Sequence, residues 1–242
     1  MPLAEDTDPR MILGNMAQKI ISGFKSSPIS VISIIIANLS ILIGVLFLGW
    51  SLPDMVLLYW FESAIIGFFV ILKIASANGP SFTPAKAGTI VFFLIHYGMF
   101  MFAHFMVIAG LILPLLSGGN PEAWNFTLPA NFPLLAGTLP LFLSHALSFA
   151  TNYVGKKEYA NANIGGLMTS PYGRIIAMQV FVIASAFLLS MIIDIVPSQF
   201  IIYAYCPFIV IGKTFFDLSA HLSERNAGEG ESGKEDGTED SD

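Results

Sequence analysis

Six stretches of the chain stay apolar for the length of a membrane crossing, with loop-forming residues between them. A hydrocarbon core about 30 Å thick takes roughly 20 helical residues. Runs of that kind occupy residues 31 to 50, 55 to 77, 89 to 113, 132 to 154, 174 to 194 and 196 to 216. They are apolar throughout rather than alternating, so they predict helices and not the strands of an outer-membrane barrel. The first run is longer than the apolar core of a cleaved signal, and no small-residue cleavage site follows Trp50, so it is expected to remain as an anchor.

Composition agrees with this pattern. Of the 242 residues 55% are apolar, and the mean hydropathy is +0.71. Residues 26 to 217 hold 12 of the 28 charged side chains, and the two 25-residue tails hold the other 16. The net charge of −6 is local: residues 226 to 242 carry seven acids against Lys234, and the rest of the chain balances at ten acids and ten bases. That distribution excludes a basic nucleic-acid face as the main theme. The lone Cys206 excludes a disulfide framework or a thiolate metal cage. The fold class read from the chain is therefore an all-α integral membrane protein of six helices, whose partner is the lipid bilayer. No protein partner is legible in the sequence.

Basic residues favour the cytoplasmic side of short loops. With both termini inside, the inner segments collect Arg10, Lys19, Lys25, Lys73, Lys86, Lys156, Lys157, Arg174, Lys213, Arg225 and Lys234, which is every basic residue present. The outer loops, near 51 to 54, 116 to 131 and 195, hold none. Residues 1 to 28 read as a cytoplasmic segment in which 11 to 25 can form an interfacial helix, and 29 to 222 read as the membrane domain. The acidic stretch 223 to 242 is too polar to offset its ordering entropy, so disorder is expected there. Asn125-Phe126-Thr127, in the longest outer loop, matches a glycosylation sequon.

Candidate chemistry lies in the few polar residues inside the spans. A charge at the centre of a membrane helix costs about 2.5 to 3.5 kcal/mol on insertion scales, so such groups face the bundle interior and pair. Glu62 and Lys73 belong to the second span, His96 and His104 to the third, His145 to the fourth, and Lys213, Asp217 and His221 to the inner end of the sixth. Asn38, Asn152 and Gln179 are uncharged neighbours. Helical geometry keeps Glu62 and Lys73 about 16 Å apart along one face. It also puts Lys213, Asp217 and His221 in one stripe at i, i+4, i+8. Depth along the spans predicts an inner cluster of His96, His145, Gln179, Lys213, Asp217 and Lys73, with an outer pair of Glu62 and His104.

Three readings stay open. The first is a buried site for a metal or small ligand, with His96, His145, Asp217 and His221 as zinc or other transition-metal ligands assembled across helices. A haem between His96 and His145 is a variant of it. The second is an ion or proton transporter using the intramembrane Glu, His, Lys and Asp residues. The third is a non-catalytic protein whose polar residues fix helix packing, with Lys213 and Asp217 an ordinary i, i+4 ion pair and Lys73 reaching for inner phosphates. No Walker loop, dinucleotide fingerprint or nucleophile elbow is present.

A set of runs carries a resemblance. They are Tyr59-Trp60-Phe61-Glu62 leading to Ile71-Leu72-Lys73; Phe92-Phe93-Leu94-Ile95-His96-Tyr97-Gly98 with Phe100 and His104; and Leu143-Ser144-His145 leading to Asn152-Tyr153. Pro171-Tyr172-Gly173-Arg174 and Lys213-Thr214-Phe215-Phe216-Asp217 with His221 complete the set. In order and spacing, over residues 55 to 222, they resemble a family of six-span prokaryotic membrane proteins defined only as a domain of unknown function. The resemblance implies a prokaryotic cell-membrane location. It also marks Glu62, Lys73, His96, His104, His145, Arg174, Lys213, Asp217 and His221, and it implies no activity. The chain has Gln179 where the pattern looks for a histidine, which counts against a metal cluster needing that ligand.

Overall fold

The structure, a computed structural model, describes residues 28–116, 132–192, 195 and 198–235. The expected interfacial helix at 11 to 25 and the Asn125 sequon lie outside the described residues. So do the side chain of His221 and the last seven residues.

The described residues form six long helices: α1 (Pro28–Phe47), α2 (Leu52–Ser76), α3 (Pro84–Val107), α4 (Phe132–Ser148), α5 (Ile164–Ile192) and α6 (Ser198–Glu235). Among the described residues there is no strand. Two helices widen into π turns, α3 at Ile108–Ile112 and α4 at Phe149–Val154. Among the described residues five helices are long and apolar enough to cross a membrane: α1, α2, α3 continued to Leu115, α4 continued to Val154, and α5. The sixth apolar run lies in α6. That helix continues to Glu235, through residues expected to be disordered from 223 onward. Glu, Arg, Ala and Lys favour that extension, whereas Gly228, Gly230 and Gly233 each oppose it by about 1 kcal/mol, so local propensity does not account for it.

The helix starts are written locally. Ser51 and Asp54 form a reciprocal capping box at α2, with the Ser51 hydroxyl accepting from the Asp54 N–H at 3.2 Å. Thr83 caps α3 with a single bond, its hydroxyl accepting from the Lys86 N–H, and Pro84 follows in the first turn. Asn163 accepts from Gly166 N–H at 3.1 Å and opens α5 ten residues before the expected start at 174. Pro171, with its glycine neighbours, marks a loop in the sequence, yet it sits inside the helix. The carbonyl it leaves without a partner, that of Leu167, accepts the Ser170 hydroxyl at 3.2 Å.

α1 packs against α4 and α6; α2 against α3, α4 and α5; and α5 against α6. A core of Ile41, Trp50, Met55, Leu58, Ile108, Ile112, Leu189 and Cys206 fills the centre. A smaller cluster of Val70, Ile74, Phe93, Tyr97, Met101 and Ile175 lies between α2, α3 and α5. The outside is just as apolar: Val91, Phe92, Leu94, Ile95, Met99 and Phe102 all project from α3 into the surroundings. A large continuous apolar exterior is unsuited to water and suited to lipid. The α2–α3 and α4–α5 connections meet at one end of the bundle, where Asn78 N–H donates to Tyr159 O at 2.6 Å and its side-chain amide to Ala162 O at 3.2 Å.

Candidate functional site: a buried ion network

Four charged side chains meet in the interior, contributed by three helices. Glu62 comes from α2, Arg174 from α5, and Lys213 with Asp217 from α6. Glu62 is 5% exposed and Lys213 and Asp217 1% each. Lys213 Nζ lies 2.6 Å from Glu62 Oε2 and also donates to Asp217 Oδ2, one turn along its own helix. Arg174 reaches Asp217 Oδ1 with Nη2 at 2.8 Å and Nε at 3.1 Å, and its Nη2 lies 3.6 Å from Glu62 Oε1. Each carboxylate thus faces both cations, and two acids cancel two bases. That balance is what makes the burial tolerable, because an unpaired ion in such a place costs several kcal/mol.

Two further helices complete the ring. His145 of α4 places Nε2 3.3 Å from Glu62 Oε1, its ring stacked on Phe69. Asn38 of α1 donates its side-chain amide to Asp217 Oδ2 at 3.0 Å. The Tyr59 ring covers the Lys213 ammonium at 5.0 Å, a cation–π contact. Close approach of α6 to α5 depends on Gly212, since a Cβ there would stand 2.2 Å from the Phe181 ring.

A cavity of about 10 Å³ adjoins the ions, lined by Tyr59, Glu62, Ser63, Ile66, Arg174 and Met178 among others. Such a space holds about one water. The buried Tyr59 hydroxyl makes no hydrogen bond among the described residues and lines this space. Tyr97 borders the site from α3, donating to Ser63 O at 2.6 Å.

The sequence-derived candidates divide. Glu62, His145, Lys213 and Asp217 converge. His96 does not join them: its Nδ1 lies 2.6 Å from Tyr172 Oη on an exposed face, with Phe92 stacked on the ring. Lys73 sits over the Tyr153 ring at 5.6 Å. His104 Nδ1 and both polar atoms of the Gln179 side chain are buried without a hydrogen-bond partner among the described residues. The expected outer pair is corrected, since Glu62 meets His145 in place of His104. The expected metal grouping is not assembled among the described residues, and the side chain of its fourth member, His221, lies outside them. His96 and His145 engage different partners, and Asp217 is occupied by Lys213, Arg174 and Asn38. Among the described residues no three His, Cys, Asp or Glu side chains are placed to hold a metal ion.

Arg174 and Asn38 were undervalued by sequence alone. Arg174 reads as a residue at the inner boundary, yet it lies ten residues into α5. Asn163 was the available signal, because an N-cap there moves the helix start and carries Arg174 to the depth of Glu62. Tyr59 had no such signal; an aromatic residue in an apolar run is core by default.

The architecture defines a helical bundle in which five of the described helices are long and apolar enough to cross a membrane, with a charge-balanced ion cluster in its middle. The chain belongs to a family of unknown function (DUF6498), whose profile matches residues 23–234. No curated protein and no solved structure matches it.

Proposed function

We propose that this is a six-crossing integral membrane protein of the prokaryotic cell membrane, with both termini cytoplasmic, and that the ion network is a proton-exchange centre serving proton or ion transport. The observation that carries the reading is Glu62, placed between Lys213, Arg174 and His145 beside a space for one water. Intramembrane acids held by bases are the usual elements of proton relays. A proton moving onto Glu62 would release Lys213 to Asp217 alone and loosen the tie between α2 and α6, which couples protonation to helix position. The small cavity and the occupied carboxylate oxygens favour a proton over a metal or larger ligand.

Purified protein in liposomes, with a pH-sensitive dye inside and an imposed potential, tests this. Flux well above that of empty liposomes, lost in Glu62→Gln, is the expected result. Wild-type flux no greater than that of empty liposomes would overturn it.

The structural reading keeps one observation in its favour: all four charges are mutually paired. On that reading Glu62→Gln lowers the unfolding temperature, and neither protein carries protons.

A further inference from the structure

Among the described residues four tyrosines are buried, and three of them direct their hydroxyl at the protein itself. Tyr97 donates to Ser63 O at 2.6 Å, Tyr153 to Lys73 O at 2.7 Å, and Tyr205 pairs with Ser185 Oγ at 3.2 Å. The fourth, Tyr59, is 6% exposed, and its hydroxyl makes no hydrogen bond among the described residues. Its ring serves packing, lying over the Lys213 ammonium at 5.0 Å. A phenylalanine would cover that cation as well, without the cost of burying a hydroxyl that bonds to nothing. Helix packing therefore explains the ring of Tyr59 and leaves its oxygen unexplained.

Tyr59 and Glu62 stand three residues apart on one face of α2, and both line the cavity of about 10 Å³. The other polar groups around it are engaged. Ser63 Oγ donates to Tyr59 O at 3.3 Å, and Arg174, Lys213 and Asp217 belong to the ion network. A buried water needs two to four polar partners in a space of this size. The Tyr59 hydroxyl and the Glu62 carboxylate supply two.

We propose that Tyr59 is a positioning residue that holds one water against Glu62, and that this water is the immediate carrier of the proton exchanged there; the carrier role rests on the proton-exchange reading above. The Tyr59 hydroxyl donates to the water oxygen, and the water donates to a Glu62 oxygen. A carboxylate accepts at about four positions, and Lys213 and His145 take two of those on Glu62. The second lone pair of the water remains to bind an arriving proton. One O–H bond of the water then breaks toward Glu62, the carboxylate becomes a carboxyl group, and a neutral water stays on the tyrosine, which keeps its own proton throughout. The cluster itself selects this occupant: two acids already balance two bases, so a neutral molecule leaves the charge even and an ion would not.

The test uses full-length protein. In infrared spectra of hydrated films, exchange into water labelled with heavy oxygen shifts the O–H stretch of a buried water. That shifting band should be present in wild type and in Tyr205→Phe, whose hydroxyl bonds Ser185, and absent in Tyr59→Phe. In the liposome assay Tyr59→Phe should lower flux about tenfold, which corresponds to one lost hydrogen bond of about 1.4 kcal/mol, with Tyr205→Phe at the wild-type rate. Tyr59→Phe should also melt slightly below wild type. A higher melting temperature would show that the hydroxyl had no partner, and it overturns the water, as does a band that persists in Tyr59→Phe. If gel filtration shows that variant to be misfolded, Ser63→Thr, whose added methyl fills a space of one water, should lose the same band. Flux that survives in Tyr59→Phe and is lost in Glu62→Gln overturns the carrier role and leaves the exchange centre standing. Wild-type protein without flux overturns both, while the band still decides whether Tyr59 holds a water.

Discussion

Arg174 grips a single oxygen of Asp217 with two nitrogens, Nη2 at 2.8 Å and Nε at 3.1 Å, joining α5 to α6 in the middle of the bundle. The other Asp217 oxygen takes Lys213 and Asn38. Buried together, each of these groups depends on the others, and losing one leaves a charge without its partner.

Lys213→Met removes the cation shared by the two acids. The expected cost is about 3 to 5 kcal/mol, the range for breaking a buried pair from one side. Replacing Lys213 and Asp217 together by Met and Leu should cost clearly less than the two single changes summed. Thermal or denaturant unfolding in detergent checks this, and strict additivity would mean that the two side chains do not interact.

Gly212→Leu tests the close approach of α6 to α5. Its Cβ meets the Phe181 ring at 2.2 Å, so the ring or the helix must shift, at about 1 to 3 kcal/mol. Phe181→Ala in the same chain should recover part of that loss. A Gly212→Leu protein as stable as wild type would show that the helices separate freely.

Ser170→Ala leaves the Leu167 carbonyl, already without its helical donor because of Pro171, unsatisfied. A loss of about 1 kcal/mol is expected, and it should vanish in a Pro171→Ala background, where the backbone N–H is restored. An equal loss in both backgrounds would mean the hydroxyl acts elsewhere.

Lys86 is buried and donates to three carbonyls: Ser81 at 2.7 Å, Gly79 at 3.1 Å and Ala75 at 3.4 Å. It closes the C-terminus of α2 against the start of α3. Lys86→Met keeps the stem and drops the donors, at about 1.5 to 3 kcal/mol. Proteolysis near residue 79 should quicken with it; cleavage at the wild-type rate would remove the cap argument.

Topology has its own check. In a Cys206→Ala background, Ser117→Cys should react with an impermeant maleimide from outside intact cells, and Lys157→Cys only after permeabilisation. The reverse pattern would invert the proposed orientation.

The chain by itself determined the helices. Continuous, non-alternating apolar runs of about 20 residues suit a helix, which satisfies every backbone group within its own segment. Helix caps are equally local, and the Lys213–Asp217 pair follows from i, i+4 spacing. Depth counted from the span ends is less secure: it separates Glu62 from His145 and Lys213, which the packed helices bring to one level. Which faces turn toward each other depends on side-chain fit between helices far apart in sequence. That is why Glu62 meets His145 in place of His104, and why His96 turns to Tyr172. Arg174 reached the centre because Asn163 and Ser170 let a helix begin early and pass through Pro171, a combination whose effect on the site exists only once α5 packs against α6.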